Sequence, residues 1–234
     1  MYSIKLSNIS KYYNQVRALN NISLNIGAGE IHGILGLNGA GKSSLFKIIA
    51  GLTSASNGEL LFNDKVDLPK IGYLPESPPL YQNMVVKDFL KFLIDLHDVN
   101  NKEGHLKDLL SLCNLEQASL RLIKNLSKGY KQRVGLAQSL VGFPEIILLD
   151  EPLSGLDPTA IIEMRSLINN LKKNHTILLS THQLYEASLI CSNITILKDG
   201  EVIQTGTLQN LQSKLQVKQL IRLEVSNWSN IINK

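Results

Sequence analysis

Gly36-Leu37-Asn38-Gly39-Ala40-Gly41-Lys42-Ser43 fits G-x-x-x-x-G-K-[ST], the pattern of a phosphate-binding loop. The residue types answer physical needs. Glycine tolerates φ > 0 and lets the backbone approach a ligand closely. Successive N–H groups can then curl around phosphate oxygens at the positive end of the helix that follows. Lys42 supplies a mobile cation for terminal phosphates, and the Ser43 hydroxyl is a ligand for Mg²⁺. Gly36 through Ser43, with the adjoining Ser44, are thus the candidate phosphate contacts. A chain of this length shows the pattern by accident about once in a hundred. The alternative is a Gly-rich turn before an ordinary helix. The flanks favour a nucleotide site: Glu30 to Leu35 reads as a strand, and Lys42 to Ala50 as a helix with apolar Leu45, Phe46, Ile48 and Ile49.

The remaining chain is long enough, at 234 residues, for one large core with room for an appendage. Hydrophobic residues make up 44% and charged residues 19%, the balance of a soluble globular protein. The net charge of +4 is mild, and no cluster of Lys and Arg stands out along the sequence, which argues against nucleic acid as a partner. Cys113 and Cys191 sit among apolar neighbours, as packing residues in a reducing compartment would. No apolar run approaches the length that spans a bilayer, and the first residues lack a secretory core. The expectation is a cytoplasmic protein that reaches a membrane only by docking on another polypeptide.

Alternation along Tyr2 to Ser7, then Ala18 to Ile26, Gly58 to Phe62 and Ile71 to Leu74, predicts strands, with Asn63-Asp64 a turn. The opening has antiparallel β character. Residues 85–141 change to helical periodicity: Val85 to His97, about His105 to Leu112, and about Lys128 to Leu140. Val86, Phe89, Leu90, Phe92, Leu93 and Leu96 form a wide apolar face that serves either sibling helices or a partner. Alternation of α and β then resumes. Ile146 to Leu149 and His175 to Ser180 read as strands, Thr159 to Leu171 and Leu184 to Ile190 as helices. Ile194 to Gln204 reads as a hairpin turning at Asp199-Gly200, followed by a helix over Leu208 to Gln216 and a strand over Leu220 to Val225.

Two further motifs carry chemistry. Ile146-Ile147-Leu148-Leu149-Asp150-Glu151 is an apolar strand ending in carboxylates. Beside a phosphate loop, Asp150 can hold Mg²⁺ with Ser43, and Glu151 can orient and deprotonate an attacking water. Leu126-Ser127-Lys128-Gly129-Tyr130 places a Ser at a helix N-cap, where hydroxyl and N–H groups can receive an anion. Taken alone it is a plain capped helix.

With Ser154-Gly155-Leu156-Asp157-Pro158 and Ser180-Thr181-His182 following in order, the chain resembles the ATP-binding subunit of ATP-binding cassette (ABC) transporters over about Met1 to Lys214. The resemblance implies an α/β fold: a P-loop NTPase core with a parallel sheet, an N-terminal antiparallel β subdomain and an inserted α-helical subdomain. It implies ATP and Mg²⁺ as cofactors. It also implies a head-to-tail homodimer, or a heterodimer with a similar subunit, bound to separate integral membrane permease subunits. Ser127, Lys128 and Gly129 of one copy would touch the γ-phosphate on the other, with Asp157 in the loop between sites. His182 would join Lys42 and Glu151 at the γ-phosphate. Tyr13 matches the ring that stacks on adenine, with Tyr12 the competing choice and core packing the plain alternative.

Two motifs depart from the family pattern, at three positions. Lys128 and Tyr130 replace Gly and Gln of Leu-Ser-Gly-Gly-Gln, and Glu76 stands where most members carry a Gln that ligates Mg²⁺. Glu76 is therefore either a charged Mg²⁺ ligand or an exposed loop acid. The pair of departures is similar to a subset serving export with separate membrane subunits. Residues 215–234 would be a C-terminal extension, the start of an incomplete small domain. A soluble ABC ATPase without a membrane partner and a small-molecule phosphotransferase are the competing classes.

Overall fold

A computed structural model describes residues 2–63, 69–97 and 99–214. In chain order the elements are β1 (Tyr2–Tyr13), β2 (Val16–Gly27), β3 (Ile31–Leu35), α1 (Lys42–Ile49), β4 (Asn57–Phe62), β5 (Ile71–Leu74), α2 (Val86–Leu96), α3 (Lys102–Leu112), α4 (Lys128–Ser139), β6 (Ile146–Asp150), α5 (Pro158–Leu171), β7 (Thr176–Thr181), α6 (Leu184–Ile190), β8 (Asn193–Lys198), β9 (Glu201–Gly206) and α7 (Leu208–Lys214).

The strands form two sheets. An antiparallel sheet runs β2-β1-β4, and a six-stranded sheet runs β5-β6-β7-β3-β8-β9, parallel except for β9. This is the expected P-loop NTPase core with an antiparallel subdomain and a helical insertion. Strands β6 and β7 are buried along their whole length, as parallel strands covered on both faces must be. Their two-residue period divides them between two cores. Ile146, Leu148 and Leu178 face α1 and the small sheet, while Ile147, Leu149, Ile177 and Leu179 face the helical side. Strand β3, which delivers the phosphate loop, is tied down by a buried polar chain. Its His32 bridges Glu30 (3.1 Å) and Thr195 on β8 (2.8 Å). Burial pushes the Glu30 carboxyl up, but bonds from His32, the Gly27 N–H and Asn193 outweigh it and hold the group below its ordinary range.

Several boundaries move for local reasons. Helix α3 begins at Lys102 rather than near His105, because the Asn101 side chain caps it by accepting from the Gly104 N–H at 3.1 Å. Strand β7 begins at Thr176, since the His175 ring turns back to donate to the Pro144 carbonyl at 2.6 Å. On α2, Val86, Phe89, Leu90 and Ile94 are buried but Phe92 and Leu96 are exposed, so sibling helices cover only part of the apolar face. At the β8–β9 turn, Asp199 and Gly200 both have positive φ (50° and 79°), as a two-residue I′ turn demands. Burial pushes both thiols, Cys113 and Cys191, up to about 12, which suits packing rather than redox work. The expected strand over Leu220 to Val225, the last residues of the expected helix to Gln216, and Asp64 of the expected turn lie outside the described residues.

Candidate functional site

The phosphate loop leaves β3 at Leu35 and enters α1 at Lys42. Two of its glycines have backbone angles that favour glycine: φ is +84° at Gly39 and +102° at Gly41. Gly41 has a second constraint. A Cβ there would sit 2.7 Å from the Ala18 carbonyl oxygen and 2.7 Å from a Leu19 methyl. Gly36 is held likewise, since its Cβ would lie 2.5 Å from the Leu197 carbonyl oxygen. The β8–β9 hairpin therefore forms the back wall of the loop, and the Gly200 N–H donates to the Ala40 carbonyl at 3.1 Å. Sequence reading missed Leu197 and Gly200 as supports of the loop. Their only signal was the Asp-Gly turn.

Lys42 and Glu151 meet at the mouth. Lys42 Nζ folds over its own loop, donating to the Gly36 carbonyl (2.8 Å) and approaching that of Leu37 (3.3 Å). It also lies 3.2 Å from Glu151 Oε1, off hydrogen-bonding alignment, so this buried oxygen has no donor. Glu151 itself sits one residue beyond β6 with φ +49°. Its N–H donates to the Ser180 hydroxyl (2.9 Å), and His182 Nδ1 donates to Oε2 (3.0 Å). The carboxylate is thus suspended between an ammonium and an imidazole. Behind it, Asp150 accepts from the Ser180 hydroxyl and from the Tyr73 hydroxyl at 3.4 Å. Burial, then the Asp150 charge, pushes Tyr73 up to about 12, so it remains a donor. Ser180 was read in the Ser-Thr-His motif without this role, and Tyr73 carried no signal, because only strand pairing places either beside Asp150.

A cavity of about 220 Å³ opens here, lined by Ala18, Asn38, Gly39, Gly41, Lys42, Ser43, Ser44, Glu76 and Glu151. A second, of about 440 Å³, lies across the loop and includes Gly36, Leu37, Ala40 and His182. Leu37, at the loop's crest, is 78% exposed. Glu76 also accepts from the Ser154 hydroxyl at 3.4 Å. The donor set suits Mg²⁺: hard oxygens from Ser43, Glu76 and the donorless Glu151 Oε1 border one cavity, with Asp150 behind. Among the described residues no three His, Cys, Asp or Glu side chains form a cage, so substrate phosphates would complete the coordination.

Residues 19–154 match the family model described as ABC transporter. The chain belongs to the ABC transporter family. Among curated relatives, the uncharacterized ABC transporter ATP-binding protein YxlF of Bacillus subtilis is 36% identical over 217 residues, 91% of this chain and 74% of that protein. The lantibiotic transport ATP-binding protein SrtF of Streptococcus pyogenes is 37% identical over 205 residues, covering 86% and 89%. Among solved structures, cbiO1 from Clostridium perfringens, part of the ABC transporter complex cbiONQ, has a TM-score of 0.84 at 30% identity and covers 91% of each chain. A dimeric post-hydrolysis state of the ATP-binding cassette MJ0796 with ADP and Pi has a TM-score of 0.78 at 28% identity, covering 88% and 98%. The chain is an ATP-binding, ATP-hydrolysing ABC subunit.

In this ABC subunit the Leu-Ser-x-Gly segment and Asp157 stand apart from both cavities at the loop. Ser127 caps α4, accepting weakly from the Tyr130 N–H at 3.4 Å, and Gly129 is buried against Ala160. Lys128 is exposed, with Nζ resting where a Cβ of Gly155 would sit. Asp157 caps α5, accepting from the Ala160 N–H at 3.0 Å. Tyr13 (42% exposed) and Tyr12 (45%) are equally open to solvent, so exposure does not choose between them. Tyr13 alone has a cation over its ring, Lys11 Nζ at 5.0 Å from the centroid. No helix among the described residues is long and apolar enough to cross a membrane.

Proposed function

We propose that two copies of this ABC ATPase close head to tail on two ATP molecules, and that opening and closing drives export through a separate membrane permease. The observation that carries the reading is the half-built site. One copy offers the loop, Lys42, Glu151 and His182, open to solvent at Leu37, while Ser127, Lys128, Gly129 and Asp157 stand on another part of the same chain. A second copy supplying those residues would exclude water and add donors to the γ-phosphate. The solved dimer of a similar cassette supports the closure. Export is favoured by similarity to the lantibiotic transport protein SrtF and the bacitracin transport protein BcrA of Bacillus licheniformis.

Each residue then has a task. The N–H groups from Gly36 to Ser44 hold the β- and γ-phosphates, and Tyr13 stacks on adenine. Arriving phosphate draws Lys42 off Glu151, which frees that carboxylate to align and deprotonate water. His182 keeps Glu151 oriented and faces the γ-phosphate. Ser43, Glu76 and Asp150 would hold Mg²⁺, which would supply neutralisation of the phosphate charge. The ATPase domain is residues 1–214, with 215–234 an extension. The permease, docked on the helical insertion and the Glu76 loop, would hold the chain on the cytoplasmic face of the membrane.

The test is Glu151→Gln with Mg²⁺-ATP. It should bind ATP, hydrolyse it at least about a hundredfold more slowly than wild type, and elute as a dimer in size-exclusion chromatography with light scattering. A variant that stays monomeric at every concentration would remove the two-copy reading. Wild-type turnover would remove Glu151 from its role.

A further inference from the structure

Lysines that are scattered in sequence meet in a groove between α2 and α3. Lys87 and Lys91 on one helix, and Lys102 and Lys107 on the other, line a cavity of about 360 Å³ with Glu103 as the single acid and Leu106 and Leu110 as apolar lining. Lys102 is committed to Asp95 at 2.9 Å. Among the described residues Lys87, Lys91 and Lys107 make no ion pair, which leaves three free ammonium groups around an apolar lining. The groove lies on the flank of α2 opposite exposed Phe92 and Leu96, so it is separate from the apolar patch there. None of its residues belongs to the ATP site.

We infer that this groove binds the anionic phospholipid surface of the membrane directly, beside any contact through a permease. The chemistry of the cations selects the occupant. All four are lysines, compact point charges on flexible stems, and none is the planar arginine fork that matches carboxylates two bonds at a time. Such a set suits mobile headgroup phosphates better than the fixed carboxylates of a folded partner. The lysine stems and the two leucines offer apolar contact to the upper part of an acyl chain while the ammonium groups stay in the headgroup layer. A lysine near an anionic leaflet strengthens binding about fivefold, so three act as a weak, salt-sensitive attachment.

The experiment is cosedimentation of the full chain, without nucleotide, with phosphatidylcholine vesicles that do or do not contain phosphatidylglycerol. Wild type should bind only the anionic vesicles, and added salt should release it. Lys87→Gln/Lys91→Gln/Lys107→Gln should weaken binding about a hundredfold. A control with the same net charge, Lys5→Gln/Lys47→Gln/Lys173→Gln, should bind nearly as wild type. ATP turnover in solution, unchanged in both triple variants, confirms that they are folded. Equal loss in the two variants, or no binding by wild type, overturns the assignment. Selective binding of polyglutamate instead would assign the groove to an acidic protein segment and also overturn it. Because the vesicles are tested without ATP, failure of the two-copy reading leaves this result untouched.

Discussion

Gly39 and Gly41 stand two positions apart in the phosphate loop and are constrained differently. Both need positive φ, but a Cβ at Gly39 meets nothing within 4 Å, whereas at Gly41 it strikes the Ala18 carbonyl and Leu19. Gly39→Ala should therefore cost only the left-handed backbone, about 1 kcal/mol. Gly41→Ala should cost about 2–3 kcal/mol and displace the β1–β2 hairpin that helps line the cavity. Urea denaturation and titration with a fluorescent ATP analogue check the pair: Gly41→Ala should lose nucleotide binding, and Gly39→Ala should keep most of its stability. Equal stability losses would mean that Ala18 yields freely. The phosphate loop was legible because its chemistry is local. Ser180 and Tyr73, which hold Asp150, carry no such pattern; they act only because β5, β6 and β7 are neighbours.

Among the elements, α5 owes its start to a residue that the proposed dimer would also use. Asp157, proposed above for the contact between sites, caps the helix in this structure, with Pro158 in the first turn. Asp157→Ala should destabilise the chain by about 1 kcal/mol, while Asp157→Asn, which keeps the capping oxygen, should be nearly neutral. Thermal or urea denaturation measures both. If Asn stabilises like Asp yet weakens ATP-driven pairing, the charge serves the partner rather than the helix. Helix existence was legible from periodicity throughout 85–141, but α3 was read short. Gly104 interrupts its first turn and obscures the Asn101 cap.

At the scale of the whole molecule, a histidine joins α3 of the helical insertion to the segment that leads from α4 into β6. His105 on α3 accepts at Nε2 from the Gly142 N–H (3.1 Å), and its ring meets Phe143 edge-on at 4.4 Å. Burial lowers its affinity for a proton; Asp108 opposes this and His97 adds to it, and the net shift is below the ordinary 6.5. The unfolded chain therefore binds the proton more readily. Stability from this group is complete above about 6.5 and is lost as pH falls below that value toward the lowered folded value. The thermal midpoint of wild type should drop more between neutral pH and pH of about 5 than that of His105→Gln, which titrates no imidazole there. Parallel pH profiles would exclude His105 as the sensitive contact.

By itself the sequence determined the phosphate loop, the paired carboxylates, the capped Leu-Ser-x-Gly helix and the succession of strands and helices. Each rests on residues within a turn or two of one another: permitted φ, a capping oxygen, an apolar period. Only the tertiary structure decided that the β8–β9 hairpin backs the loop, that Lys42 rests on Glu151, and that four lysines converge between α2 and α3. Those meetings depend on strand order and helix packing, which bring together side chains that no local preference connects.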